Sequence, residues 1–310
     1  MLQRTYLGLE IRQHELRAVA VQRQGKNITL VGGQVSELPD AVLQPVFNTP
    51  NILQTEQFVA ALQSLLGPLA KREQRIAVAL PDRAGQLFLL DLETPFKNRA
   101  EGVEIIRWHL QGQLPISSHQ VALDFQVLEE KESGHKNILA AVINQDVLSQ
   151  YENLFKQAGY AATVIDFHSL ALYNAYRTKI DLGRDFILIG VDGYQLSILV
   201  FVNHVLNFCR VREISQEPQK VFQELNRSLI NYRNEQSAFS RMSVYLHSDW
   251  EDQEDLLTAV SSAFDQNVQW LVSPVSKLMN GDRLTFSGAQ ANGMAAALGV
   301  AERMIQRVAL

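Results

Sequence analysis

With 310 residues, of which 46% are hydrophobic and 20% charged, the chain is long enough for two cores or one large split core, and two lobes are expected. A net charge of −5 and a pI near 5.8 offer no general attraction to nucleic acid or anionic lipid. One cysteine, Cys209, excludes an intrachain disulfide framework or a cysteine-rich metal site, and reads as a small buried apolar residue in a reducing compartment.

The N-terminal MLQRTYLGLEIRQHELRAVAV alternates and carries charge, as a strand does and an export signal does not. Short β-type runs follow one another: Tyr6 to Ile11, Leu16 to Val21 and Ile28 to Gln34, with turns at 12–15 and 22–27. A strand over Ile76 to Leu80 and the turn Pro81-Asp82 lead into a segment with its own rhythm. There the expected elements are a strand over Gln86 to Leu92 and a helix over Arg99 to Gln113 stopped by Pro115. Strands over Val121 to Leu128 and Asn137 to Asn144, a helix over Gln145 to Ala158 ended by Gly159, and a strand over Ala162 to Phe167 complete it. The charged stretch 129–136 reads as a solvated hairpin loop.

The three-strand device then recurs as Phe186 to Val191, Leu196 to Val202 and Val205 to Arg212. A long helix from near Pro218, a strand over Ser243 to Leu246, a helix carrying Leu256, Leu257, Val260 and Phe264, and a last helix over Ala291 to Val308 close the chain. No run reaches the roughly 20 apolar residues that span a bilayer, so a cytoplasmic location is expected. Two lobes that each open on a strand, turn and strand fit an α/β fold of the actin/Hsp70-like class, although unrelated α/β proteins also contain two meanders.

The order of elements resembles the PilM family of type IV pilus assembly proteins, including its MshI-type members, which are relatives of the cell-division protein FtsA. Four blocks carry the resemblance: YLGLEIRQHELRAVAV, where Glu10 and Arg17 keep the spacing of the family's first phosphate turn; Arg75 through Tyr176; ILIGVDGYQLSILVFVNHVLNFCRVREI; and AAALGVAERM. The resemblance implies an actin/Hsp70-like two-lobed ATPase-type fold. Residues 1–85 would form the first lobe, 86–163 an FtsA/PilM-type inserted subdomain, 164–183 a return to the first lobe, and 184–310 the second lobe. It also implies a partner, the cytoplasmic tail of a PilN-like single-span inner-membrane protein, held in a groove between subdomain and first lobe. The pilus motor ATPase or platform protein are further candidates. Such a protein would be peripheral to the inner membrane through its partner.

Phosphate turns of this class need glycine and small hydroxyl residues, so that backbone N–H groups approach the phosphates. Here the first turn reads Arg12-Gln13-His14-Glu15, bulky and partly acidic, while Asp192-Gly193 and Ser197 keep part of the second. Glu10, Arg12, Gln13, His14, Asp192, Gly193 and Ser197 are therefore the candidates for a vestigial nucleotide site. Arg12 could meet a phosphate through its guanidinium, or simply be exposed. Asp192 could hold a hydrated Mg²⁺ with Glu10 opposite, or be a turn former. After the strand at 243, consecutive glycines give way to His247-Ser248-Asp249-Trp250, and the acidic run 249–255 reads as a cap for the next helix. Ser287-Gly288 reads as a loop or as a compensating turn. His168 reads as a packed or capping residue rather than a base.

No metal site, Walker sequence or nucleophile elbow is present, and no cofactor is expected, weak Mg-ATP binding staying open. The expected function is an adaptor, with Phe88, Leu90 and Leu92 as candidate partner-binding residues; plain core is the competing reading of the three. The alternative is an active Mg-ATPase of the same superfamily. A third reading, the cytoplasmic domain of a GspL-like type II secretion protein, is weakened on the expectation that such chains continue into a membrane helix, whereas this one stops at Leu310.

Overall fold

The structure, a computed structural model, describes residues 4–25, 27–236, 239–278 and 286–308. Lys26, inside the expected turn at 22–27, lies outside them. The first sheet contains β1 (Thr5–Ile11), β2 (Glu15–Gln24) and β3 (Asn27–Glu37), an antiparallel meander. After α1 (Thr55–Ala70), β4 (Arg75–Leu80) joins parallel to β1. The small subdomain then interrupts this lobe with β5 (Gly85–Leu92), α2 (Arg99–His109), β6 (Val121–Glu130) and β7 (Lys136–Asn144), its sheet ordered β5-β7-β6. The chain returns through α3 (Gln145–Gln157) and β8 (Ala161–Phe167), which pairs parallel to β4, and leaves through α4 (His168–Ile180).

The second half repeats the plan. Strands β9 (Phe186–Asp192), β10 (Gln195–Val202) and β11 (Val205–Glu213) form the meander, followed by α5 (Pro218–Glu235). Then β12 (Ser243–Ser248), α6 (Gln253–Phe264) and β13 (Val268–Trp270) complete a sheet ordered β11-β10-β9-β12-β13. The first sheet reads β3-β2-β1-β4-β8, so each lobe has its meander on one side and two parallel strands on the other. The duplication expected from pattern is thus a duplication of topology. Short helices α7 (Pro274–Leu278) and α8 (Gly288–Gly293) precede α9 (Ala295–Val308).

Side-chain alternation along the two central strands explains the layering. In β1, Leu7, Leu9 and Ile11 face the layer of α1 and α3, whereas Tyr6 faces α9. In β9, Ile187, Ile189 and Val191 face α5 and α6, whereas Phe186 and Leu188 face α4. Each lobe therefore covers its inner face with a helix from the other half of the chain. Those two helices cross so closely that a Cβ on Gly299 of α9 would lie 1.9 Å from the Ala171 carbonyl oxygen of α4, and α9 lies so close on β1 that a Cβ on Gly8 would lie 2.0 Å from the Ala297 carbonyl oxygen. Only glycine lets backbone meet backbone there.

Several expected boundaries change. The subdomain core of Leu90, Leu92, Ile106, Phe125, Ile138, Ala140 and Val142 involves nothing beyond residue 144 on its C-terminal side. Helix α3 buries Val147, Tyr151, Leu154 and Phe155 in the first-lobe core, and the expected limit at 163 falls inside β8. The insertion is therefore about 85–144, because the apolar stripe of α3 fits the first sheet. Residues 55–70, assigned no element from sequence, form α1, although its stripe of Phe58, Leu62, Leu65, Leu66 and Leu69 has helical spacing. Its unbonded N-cap Gln54 and the internal Pro68 remove the usual boundary signals. The expected final helix is two, with Ser287 and Gln290 forming a capping box for α8.

Candidate functional site

Glu10 is the penultimate residue of β1 and Asp192 the last of β9, each two residues after a glycine that admits an inner helix: Gly8-Leu9-Glu10 in one lobe, Gly190-Val191-Asp192 in the other. Alternation sends both carboxylates to the inner faces, where the lobes meet. His168, the first residue of α4, is buried between them. Its Nδ1 lies 2.9 Å from Oε1 of Glu10 and its Nε2 3.1 Å from Oδ2 of Asp192. Asp192 Oδ1 is 2.9 Å from Nε2 of His247, whose Nδ1 is 2.8 Å from the Tyr176 hydroxyl. The other oxygen of Glu10, Oε2, is buried without a hydrogen-bond partner.

A second set of contacts crosses the lobes one layer further out. The Arg12 and Arg17 guanidiniums each donate to Asp249 Oδ2 at 2.8 Å. Asp249 Oδ1 accepts the Gly193 N–H at 2.9 Å, and the Trp250 indole N–H donates to the Gly193 carbonyl at 2.9 Å. Arg17 also donates to Glu15 at 2.5 Å and to the Gly293 carbonyl at 2.7 Å. Gly193 has φ +55°, and a Cβ on it would lie 2.6 Å from an Arg12 guanidinium nitrogen. Arg12 therefore occupies the space over the second turn that its glycine leaves open.

Asp82, from the expected turn, caps α4 from outside. It accepts the Ser169 N–H at 3.1 Å and hydroxyl at 2.5 Å, and takes the Gln195 amide of the second lobe at 2.9 Å. Burial pushes the Asp82 carboxyl up. Burial would also raise Glu10 and Asp192, but the His168 ring beside Glu10, and His247 with His168 beside Asp192, outweigh it and hold both acids low. Burial likewise works against charge on His168, yet Glu10 and Asp192 raise it from 6.5 to about 10.

The candidate nucleotide residues thus divide. Glu10, Arg12, Asp192 and Gly193 converge on one charge lattice. Gln13 and His14 stay at the rim, His14 contacting Asp40 at 3.0 Å and the edge of the Tyr194 ring. Ser197 is buried on β10, its hydroxyl 3.5 Å from the Gly190 carbonyl, away from the turn. Asp249 corrects the capping expectation: the N-cap of α6 is Asp252, and Asp249 turns into the cleft because two guanidiniums and a backbone N–H await it. Arg17 entered the sequence reading only as a spacing marker, His247 only as bulk where consecutive glycines were expected, and Asp249 as that bulk and as part of the capping run. The paired Gly-x-acid signature was the available clue that Glu10 and Asp192 are equivalent.

Glu10 and Asp192 both hold His168, and Arg12 lies over the Gly193 turn. Among the described residues no group of three or more His, Cys, Asp and Glu is arranged to hold a metal ion.

Outside the lattice, a cleft of about 1280 Å³ extends to the small subdomain. Val46 and Phe47 of the loop before α1, Leu87 and Phe88 of β5, and Arg210 and Arg212 of β11 line it. Of the candidate partner-binding residues, Leu90 and Leu92 are buried in the subdomain core and are withdrawn from that role; alternation places Phe88 with them but nearer the start of β5, where it is half-buried and lines the cleft. Cys209 is half-buried, and burial pushes its thiol up to about 12. No helix among the described residues is long and apolar enough to cross a membrane.

The family model for type IV pilus assembly protein PilM matches residues 8–200 of the chain. Among solved structures, the chain is similar to one from a PilM-PilN type IV pilus biogenesis complex, with 19% identity over 97% of this chain and 98% of that one and a TM-score of 0.82. It is also similar to a Bacteroides thetaiotaomicron protein of actin-like ATPase fold and unknown function (11% identity, 87% and 91% covered, TM-score 0.53). The cytoplasmic domain of EpsL, an inner-membrane component of the Vibrio cholerae type II secretion system, is a third (8% identity, 95% of each chain covered, TM-score 0.53). At such identities the structural likeness establishes the actin-like fold. No curated protein sequence matches the chain.

Proposed function

The chain belongs to the PilM family of type IV pilus assembly proteins, and we propose that it works there as an actin-like scaffold which grips the cytoplasmic tail of a PilN-like membrane protein without using nucleotide. The observation that carries the second half of this reading is Arg12 lying over Gly193 and bonded to Asp249, which fills the phosphate position with the chain's own cation. The first half draws support from the family and from the likeness to a chain solved in a PilM-PilN complex. The cleft between subdomain and first lobe offers the tail an apolar seat at Val46, Leu87 and Phe88, beside the unpaired edge of β5.

An MshI-type role in a mannose-sensitive pilus rests on the sequence resemblance, as do contacts with a motor ATPase or platform protein and attachment to the inner membrane through the partner. The competing Mg-ATPase reading would need Glu10 and Asp192 free, and both are engaged. Calorimetry tests the pair of claims. Synthetic tail peptide of the neighbouring PilN-like protein should bind the wild type with equal affinity with and without Mg-ATP, and Phe88→Asp should weaken it at least tenfold. Micromolar Mg-ATP binding, or no peptide binding at high concentration, would overturn the reading.

A further inference from the structure

The two carboxylates at the lobe interface require a cation, and the hydrogen bonds say which one is there. Ionised carboxylates have no hydrogen to give, so each His168 nitrogen facing one must itself donate. Both ring nitrogens face one: Nδ1–H points to Glu10 and Nε2–H to Asp192. A ring that donates from both nitrogens is an imidazolium. His247 differs, because the Tyr176 hydroxyl can donate to its Nδ1, and its Nε2–H alone then serves Asp192.

The charges close on this assignment. The carboxylates of this lattice are Glu10, Asp192 and Asp249, and the cations packed against them are Arg12, Arg17 and a protonated His168. Three negative charges meet three positive ones. With a neutral His168 the set would carry an uncompensated buried anion, which is costly. The other titratable neighbours do not supply the missing charge: His247 needs only its Nε2 proton, since the Tyr176 hydroxyl serves its Nδ1, Asp82 adds negative charge if ionised, Tyr176 is held protonated by burial, and Glu15 pairs with Arg17 at the rim.

The geometry points to a built-in counter-ion: His168 is held as an imidazolium in the position of a divalent cation between Glu10 and Asp192, and it fastens the lobes together without metal or nucleotide. Glu10 and His168 belong to the first lobe and Asp192 to the second, so this bond and the arginine bonds to Asp249 form two successive interlobe fastenings. This deepens the nucleotide-independent reading and rests on it for its biological sense, but not for its chemistry.

The test is nitrogen-15 NMR on the full chain labelled at histidine, with His168→Gln identifying the resonance. Both ring nitrogens of His168 should carry protons at pH 8; a neutral ring at that pH overturns the inference. In His168→Gly, added imidazole should raise the thermal midpoint saturably at pH 6, where it is mostly cationic, whereas pyrazole, similar in shape and neutral, should not. Equal rescue by both, or by neither, counts against a cation. If that variant does not fold, the wild-type spectrum decides alone. Mg-ATP binding to a wild type whose His168 is cationic would defeat the proposed function and leave this assignment standing. A neutral His168 in a protein that ignores ATP would do the reverse.

Discussion

The two lobes share a strand order yet contribute opposite chemistry to the cleft between them. The first-lobe turn supplies cationic side chains that reach outward: Arg12, with Arg17 behind it. The second-lobe turn supplies backbone, the N–H and carbonyl of Gly193, and its lobe adds the acceptor Asp249. In a site that cradles phosphate, both turns would present backbone N–H groups to a ligand. Here one turn has become the ligand of the other. Duplicated topology thus preserves where the two turns meet while leaving open what they hold.

The comparison can be broken hardest at Asp249. Asp249→Ala leaves two buried guanidiniums without their shared carboxylate and should destabilise the protein by about 3–5 kcal/mol in urea denaturation. The glycines under the inner helices sharpen it next. Gly8→Ala in the first lobe would drive a Cβ into the Ala297 carbonyl and should cost about 3 kcal/mol. Gly190→Ala in the second meets the ends of Ser197 and Leu172 instead, which can shift, and should cost about 1 kcal/mol.

Stability against pH should be lopsided in the same way. The folded-state value of His168 is raised from 6.5 to about 10, so its contribution is fully present below about pH 6.5 and is lost as pH rises toward 10. Glu10 and Asp192 are lowered, so theirs is present above their ordinary values of 4.5 and 3.8 and is lost only as pH falls below them. Glu302, raised by burial from 4.5 to about 7, also weakens the fold as pH climbs between those values. Denaturation midpoints should therefore fall on the alkaline side, and His168→Gln should flatten the part of that slope above pH 7. At the turns themselves, Gly193→Ala strains a left-handed residue and displaces Arg12, for a loss of about 1–2 kcal/mol. His14→Ala, at the rim, should stay within about 0.5 kcal/mol of the wild type.

The meanders were legible because strand period and turn residues are local properties. The bulk of Gln13 and His14 in the first turn likewise shows in the letters themselves. The bonds that join the two turns were not legible, because Arg12 and Asp249 stand 237 residues apart and Glu10 and His168 158 apart. The acidic run 249–255 was read as a cap for the next helix, and Asp252 within it does cap α6, but nothing local shows that Asp249 leaves the run for the cleft. Leu90 and Leu92 show a related limit. Alternation tells that one face of β5 is apolar, but only the partner layer, α2 and β7, tells that the face is already covered.

Phe47 lies in the loop before α1, in the first lobe, yet its ring is buried among the subdomain's side chains. Beside it, the Asn144 amide, at the end of the insertion, donates to the Asn48 carbonyl of the same loop. Insertion and lobe are thus sewn together along a second seam, besides the two chain crossings at 85 and 144. A load applied to the subdomain would pass as shear through this seam into the first sheet, giving the molecule the stiffness of a bracket where two chain crossings alone would give a hinge.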